Sequence, residues 1–443
     1  MRRLLIGIAT TTLVAVACTG GTTPQGPVQT VDPSGSHEPV TLNVWGFYTE
    51  HELDNFTSVV DDFEAKYPWI TVNMVPGKEF GDIVRGINAG TPIDTAIDVG
   101  PDNVAKLCDS GGWQDLNTYM QADNVDFAAT FPAAVKTYTN YQGKQCALPM
   151  LTDAFGLYYN KDLLADAGYT EPPTTLTELA DMAKKLTTYD ADGSIKVLGF
   201  NPLSDFYECP NMYVGNAWGA KWYNDDGSSA FGTDPAWQQA FQWDKDLADS
   251  VGYDKLVQFK ADVGGANSEW NEQNAFQVGR VAMMYDGEWR TGYDPKAMAK
   301  LNYGTAPFPT ADNKTDLYGS GLIGGTVVGI PSTAEHPSEA WLFVKEITTN
   351  AEFLTTLANK LFNVPTTNDT LEDPTLSADE HFKTFLDVAA NPNSSFRPLT
   401  TLGTGDADLE AAFLVKWEAG KIPDLQKGLD DLAAQIDREM QLG

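Results

Sequence analysis

Aromatic side chains stand beside single carboxylates at several places in this sequence. Trp45, Phe47 and Tyr48 close a strand-like segment with Glu50 as the nearest acid, Trp289 sits in Gly287-Glu288-Trp289, and Asp153 lies just ahead of Gly156. Asp98 and Asp102 bracket the exit of another strand-like segment, and Arg397 stands between Phe396 and Pro398. Tyr207, Trp218 and Trp222 fall in an aromatic-rich stretch, with Trp270 further on. Flat apolar faces next to carboxylates and a guanidinium suit a ring that carries C–H groups on its faces and hydroxyls on its rim. Plainer roles compete at every position. With 11 Trp, 17 Tyr and 21 Phe, many rings must simply fill cores. Asp98 and Asp102 are also good helix caps, Asp153 a good turn residue, and Arg397 a partner for surface acids.

Other motifs carry less. Gly319-Ser320-Gly321-Leu322-Ile323-Gly324 spells a dinucleotide fingerprint, but a strand-like Thr326 to Ile330 follows where a helix N-terminus is required, so a loop is expected, with Gly325 allowing backbone to approach a ligand. Asp190-Ala191-Asp192-Gly193 opens like a calcium loop without the closing glutamate and reads as a turn. His37, His51, His336 and His381 share no metal-binding spacing, and no Gly-x-Ser-x-Gly elbow occurs. No metal or cofactor is implied.

The chain holds 29 Lys and Arg against 61 Asp and Glu, a net charge of −32. That excess argues against nucleic acid and against electrostatic adhesion to anionic lipid. An uncharged run from Leu4 to Ala17 follows Arg2-Arg3 and ends at Ala15-Val16-Ala17-Cys18, the pattern of a lipoprotein export signal too short for a comfortable membrane span. Residues 1–17 are therefore expected to be removed and Cys18 to carry the lipid, with 18–39, rich in Thr, Gly, Pro and Ser, as a tether. Cys108, Cys146 and Cys209 remain, an odd number in an oxidising compartment. Cys108 with Cys146 is the favoured pair because both fall in one expected lobe; spacing alone leaves Cys209 open as a partner.

These residues need elements to hold them. Thr41 to Trp45 alternates as a strand, and Phe56, Val59, Val60 and Phe63 follow at helical spacing. Strand patterns recur at Ile70 to Val75, Ile97 to Val99, Gly156 to Asn160, Val197 to Phe200 and Val281 to Tyr285. Helix patterns recur at Asp82 to Ala89 and Asp102 to Cys108. A capping box from Thr175 to Glu178 starts another through Leu179, Met182 and Leu186, Gly279 closes a further one, and Leu425, Leu429, Leu432 and Ile436 mark a final helix face. Such alternation predicts α/β architecture with mostly parallel sheets and binding loops at strand ends, and about 400 residues are too many for one core, so two lobes are expected.

Several segments, in order, resemble the extracellular solute-binding proteins of ABC importers, in particular the large sugar-binding family that includes maltodextrin-binding lipoproteins. They are Val44-Trp45-Gly46, Phe63-Glu64-Ala65-Lys66-Tyr67-Pro68, Ala147-Leu148-Pro149 with Gly156-Leu157-Tyr158-Tyr159-Asn160-Lys161-Asp162-Leu163-Leu164, Phe276 to Met284 with Gly287-Glu288-Trp289, Asn302-Tyr303-Gly304 before Pro307-Phe308-Pro309, and Gly324-Gly325 ahead of Val328-Gly329-Ile330 and Ala340-Trp341-Leu342-Phe343-Val344. The resemblance implies a two-lobed periplasmic-binding-protein-like fold of type II, each lobe a sheet flanked by helices, with the ligand cleft between lobes. Crossings are expected near Leu151, Leu301 and Asn359, which gives 40–150 plus 302–358 as the first lobe and 151–301 plus 359–443 as the second.

On that resemblance Asp153 contacts sugar hydroxyls and Trp289 is a stacking platform. The implied function is a membrane-tethered monomeric receptor that captures an oligosaccharide and passes it to the permease subunits, touching the membrane only through its lipid. The tether and the acidic exterior favour a Gram-positive surface over a Gram-negative periplasm. A non-sugar solute is the alternative, and a polysaccharide-acting enzyme a more distant one, because carboxylates beside tryptophans also describe a glycosidase cleft.

Overall fold

The computed structural model describes residues 30–207, 212–293, 298–373, 375 and 379–442. The export signal, Cys18, the tether as far as residue 29, and Cys209 lie outside them.

Two sheets organise the chain. The first has the order β13-β6-β12-β3-β1-β2, from β1 (Val40–Gly46), β2 (Ile70–Val75), β3 (Thr95–Val99), β6 (Leu148–Thr152), β12 (Thr326–Gly329) and β13 (Val364–Pro365). The second has the order β11-β7-β10-β9-β8, from β7 (Phe155–Asn160), β8 (Thr188–Tyr189), β9 (Ile195–Phe200), β10 (Val281–Gly287) and β11 (Tyr303–Ala306). A small hairpin pairs β4 (Asn140–Tyr141) with β5 (Lys144–Gln145). The α/β alternation is as expected. The sheets are mixed, however, where mostly parallel ones were expected. β1 runs parallel to β2 and β3, and β10 to β9, but β12, β13, β7 and β11 pair antiparallel.

The helices follow from apolar spacing. Glu50–Lys66 buries Phe56, Val59, Val60 and Phe63, and Phe56 meets Phe353 edge-on at 6.3 Å. Leu176–Leu186 begins with the expected capping box, Thr175 accepting from the Glu178 N–H, and Leu425–Leu442 buries Leu425, Leu429, Leu432, Ala433 and Ile436. The helix expected before Gly279 is absent. Asn274 Oδ1 accepts from the N–H groups of Phe276 and Gln277, which winds the segment into successive turns, and Gly279 at φ +73° closes the last of them. Asp190 to Gly193 forms the expected turn, its carbonyl accepting from the Gly193 N–H at 2.9 Å.

Cys108 and Cys146 are joined, Cα to Cα 5.6 Å, tying the helix Val104–Asp109 to the chain entering β6.

The first crossing between sheets falls between Thr152 and Phe155, where expected. The other two fall later than expected. Tyr303–Ala306, placed by sequence in the first lobe, pairs with β7 in the second sheet, so the return comes between Ala306 and Thr326. Val364–Pro365, placed in the second lobe, pairs with β6 in the first, and the Thr366 hydroxyl lies 3.1 Å from the carbonyls of Pro149 and Met150. The helix Glu380–Ala390 then packs on β7 and β11. Periodicity marks a strand; which sheet it joins is settled by distant partners.

Candidate functional site

The C-terminal end of β1, the Thr152–Phe155 crossing, the end of β10 and the start of β12 converge on a cleft of about 460 Å³. From the first sheet's side it is lined by Phe47, Tyr48, Glu50, His51, Glu52 and Thr326; from the second by Trp270, Trp289 and Gly292; Asp153 and the segment Lys360 to Asn363 complete it. Six expected residues thus meet there: Phe47, Tyr48, Glu50, Asp153, Trp270 and Trp289.

Two non-glycine residues in the left-handed region shape the wall. Glu50 (φ +47°) opens the helix Glu50–Lys66, and Phe362 (φ +54°) ends the helix Ala351–Leu361 where a glycine is usual. Phe362 lies on Gly292, where an added Cβ would come within 2.0 Å of the ring, so only glycine fits beneath it. Trp289 meets Phe155 edge-on at 5.3 Å. Its indole N–H is buried and has no partner among the described residues. Trp270 is 38 % exposed, and the buried guanidinium of Arg290 lies 4.6 Å from its ring centroid. Arg290 is itself paired to Asp286 at 2.7 Å.

Carboxyl groups collect on one wall. Glu288 is fully buried and accepts from the Ala154 N–H at 2.8 Å. The Asn363 amide nitrogen donates to Glu288 at 2.8 Å and to Asp153 at 3.1 Å. Burial, then the charge of Glu52, pushes the Asp153 carboxyl up to about 7. Burial, then Asp153, pushes Glu288 well above the usual carboxylate range, and burial also raises Glu52. Burial thus favours the protonated forms of Asp153 and Glu288 more than it would for free carboxyls.

A second cluster joins the lobes. Arg397 is ion-paired to Asp102, at the exit of β3, and to Asp406, which begins the helix Gly405–Glu418. The Tyr223 hydroxyl donates to Asp406, and Arg397 also donates to the Gly403 carbonyl at 3.0 Å. Gly403 itself approaches the Asn103 side chain.

The other expected residues do not line the cleft. Trp45 faces the helix Phe80–Asn88, against Gly86 and with Lys78 Nζ 5.0 Å from its ring, because alternation in β1 turns it away from Val44. Asp98 is buried within β3 opposite Val327. The Tyr207 hydroxyl bonds Ser268 and the Ala275 N–H, both at 2.9 Å, bracing the loop that carries Trp270. Trp218 is core, edge-on to Trp243, and Trp222 packs on Phe231 and Trp237. Gly325 (φ +120°) makes room for the Leu151 carbonyl and the Asp153 N–H, so its close approach is to the crossing strand. Sequence reasoning missed His51, Glu52, Glu288, Thr326, Lys360, Phe362 and Asn363. Glu288 alone had a signal, its place inside Gly287-Glu288-Trp289. Among the described residues no group of three or more His, Cys, Asp and Glu is arranged to hold a metal, and no helix is long and apolar enough to cross a membrane.

A two-sheet chain with an aromatic and carboxylate cleft where its crossings meet defines a receptor for a small solute. The chain belongs to the bacterial extracellular solute-binding protein family, whose model matches residues 49–352. It is 25% identical over 355 residues to the maltooligosaccharide ABC transporter solute-binding lipoprotein of Streptococcus pneumoniae serotype 4, covering 77% of this chain and 74% of that one. It is 23% identical over 341 residues to the maltotriose-binding protein of Pyrococcus abyssi, covering 76% and 68%. Among solved structures, CpMnBP1 with mannotriose bound superposes with a TM-score of 0.77 at 25% identity, over 89% of this chain and 99% of that one. The two-lobed α/β solute-binding fold expected from the sequence is borne out.

Proposed function

We propose that this chain captures an oligosaccharide in the cleft between its lobes and delivers it to the membrane permease of an ABC importer. The observation that carries the reading is the meeting of Trp289, Trp270 and Phe47 with Asp153 and Glu50 in one cleft. The rings offer faces for the C–H surfaces of pyranoses, and the acids accept from their hydroxyls. Relatives and neighbours named for maltotriose, maltooligosaccharide and mannotriose support the same ligand class.

Capture without turnover fits the placement of the acids. A glycosidase sets two carboxyls on either side of a bond, roughly 5 Å or more apart. Here Asp153 and Glu288 share a single amide nitrogen, which leaves no room for a glycosidic bond between them. The lobes divide at the Thr152–Phe155 crossing, between Ala306 and Thr326, and between Leu371 and Glu380, and a ligand that bridges them favours the closed arrangement. The Leu4–Cys18 pattern supports a lipid anchor on the outer face of the cell membrane, Gram-positive by preference, with the tether letting the body, taken as a monomer, reach its permease.

The test is calorimetry and tryptophan fluorescence on the body from Thr19 onward with di- to hexasaccharides. Saturable binding without release of reducing sugar is expected. Hydrolysis of a bound sugar would overturn the receptor reading, and silence across the panel would overturn the sugar.

A further inference from the structure

The family reading leaves Glu288 without a task. It is an acid with no exposed surface, set immediately before the Trp289 platform, and its carboxylate reaches both the Thr152–Phe155 crossing and the first-lobe chain entering β13. Oε2 accepts from the Ala154 N–H at 2.8 Å, and the Glu288 N–H donates back to the Ala154 carbonyl at 3.2 Å. Oε1 accepts from Asn363 at 2.8 Å. Asn363 stands between the helix Ala351–Leu361 and β13, which belongs to the first sheet, while Glu288 follows directly on β10 of the second. The same Asn363 nitrogen donates to Asp153 Oδ1 at 3.1 Å, so both of its hydrogens are committed.

We propose that Glu288 and Asn363 are positioning residues for Asp153. Glu288 fixes the Asn363 amide, and the amide fixes the carboxyl that faces the ligand while tying the Thr152–Phe155 crossing and the end of β10 to the first-lobe chain entering β13. This rests on the sugar-receptor reading only for the identity of what Asp153 meets. The arrangement holds its acids as a unit that keeps a proton. Two carboxylates on one donor, partly or fully buried, are relieved of repulsion when one is protonated, and burial raises both. The charged and titratable groups around the unit are Glu50, His51, Glu52 and Lys360 in the cleft, Tyr48 and Tyr138 beside Asp153, and Tyr158 with the Asp286–Arg290 pair behind Glu288. Lys360 is exposed at the rim, so the acidic wall is not neutralised from within.

Two variants test it. Glu288→Gln cannot titrate and keeps one acceptor oxygen, enough for either the Ala154 N–H or Asn363 but not for both; Asn363→Ala removes the tie. Thermal unfolding from pH 5 to pH 8 needs no sugar. Folded-state values above the unfolded ones mean stability is full below the ordinary carboxylate range and lost as pH rises through about 7. Glu288→Gln is expected to lose less stability over that interval than the unmodified chain. Maltotriose and mannotriose titrations of Asn363→Ala are expected to show affinity about tenfold weaker, the loss of one charge-assisted hydrogen bond, with the fold retained. Superimposable pH profiles for Glu288→Gln and the unmodified chain overturn the proposal, as does an Asn363→Ala protein that binds either sugar at full strength. Should neither sugar bind the unmodified chain, the sugar reading falls and the unfolding profiles still decide the carboxyl unit. If Glu288→Gln does not fold, the profile of Asn363→Ala decides in its place, a slope between pH 5 and pH 8 equal to that of the unmodified chain counting against the unit.

Discussion

Replacing Asp102 by Asn should loosen the closed arrangement of the lobes without unfolding either. Asp102 belongs to the first lobe, at the exit of β3, and its partner Arg397 belongs to the second, where Asp406 and the Gly403 carbonyl hold the guanidinium in place. The two side chains are only 17% and 7% exposed, so water screens the pair weakly. On the reading that the lobes open about their crossings, Asp102 and Arg397 are expected to part while Arg397 stays with Asp406, so that the pair would favour the closed state.

A hydrogen bond to a charged group contributes about 1.5–3 kcal/mol. Arg397 shares its charge between two acids, and burial already works against an ionised Asp102, whose carboxyl it pushes up. A net of about 1–2 kcal/mol towards closure is the reasonable figure. Because sugar is held by the closed state, that much is withdrawn from binding, and affinity should fall about 5- to 30-fold. Calorimetric titration with the tightest sugar of the panel measures the fall, and solution scattering of the sugar-free protein should show a more extended particle. The melting temperature should move little, since each lobe keeps its own core. Equal affinities for Asp102→Asn and the unmodified chain would refute the reasoning. So would a double variant with Arg397→Met whose losses simply add.

Trp289→Ala should weaken sugar binding by about 1–3 kcal/mol with the fold intact, read by calorimetry; unchanged affinity removes the ring from the site. Reducing the Cys108–Cys146 bond opens a loop of 38 residues and should cost about 3–4 kcal/mol by chain entropy, visible as a lower denaturation midpoint under reductant. Glu418 accepts from the Ser204 N–H at 3.0 Å, faces Asp244, and is pushed by burial up to about 7. Raised above its unfolded value, it withdraws stability as pH climbs from about 5 to 8, so Glu418→Gln should be more stable than the unmodified chain at pH 8, on the order of 1–3 kcal/mol, and indistinguishable from it near pH 4. Gly292→Ala should disturb the Phe362 contact and lower sugar affinity, and a variant that binds normally would show that Phe362 can move away freely.

What the sequence disclosed and what it concealed divide along the range of the forces involved. Alternation located β1, β2, β3, β7, β9 and β10, and apolar spacing located the helices on them, because both patterns record local geometry and a single buried face. The assignment of Tyr303–Ala306 and Val364–Pro365 went astray because four residues or two carry no mark of the sheet they will join; that is settled by β7 and β6, far away in the chain. The site divides in the same way. Phe47, Tyr48, Asp153 and Trp289 lie next to the ends of strands, and a strand end already points to a cleft. Trp45 was misjudged by one place in an alternating segment, enough to turn its ring towards Gly86. Asn363 was invisible, since an asparagine after a helix most simply ends it. Its part is set by Asp153 and Glu288, residues 210 and 75 positions away. The same long-range closure explains why the acids could not be ranked from sequence. Asp98, Asp102 and Asp153 look alike as residues at or near strand ends, and only the assembled fold makes the first a strand-interior acid, the second an inter-lobe ion pair and the third a group that faces the cleft. Recognition here depends on how distant segments meet around the cleft, so a residue such as Asn363, which holds that meeting together without offering a ring to the ligand, should still alter binding when it is changed.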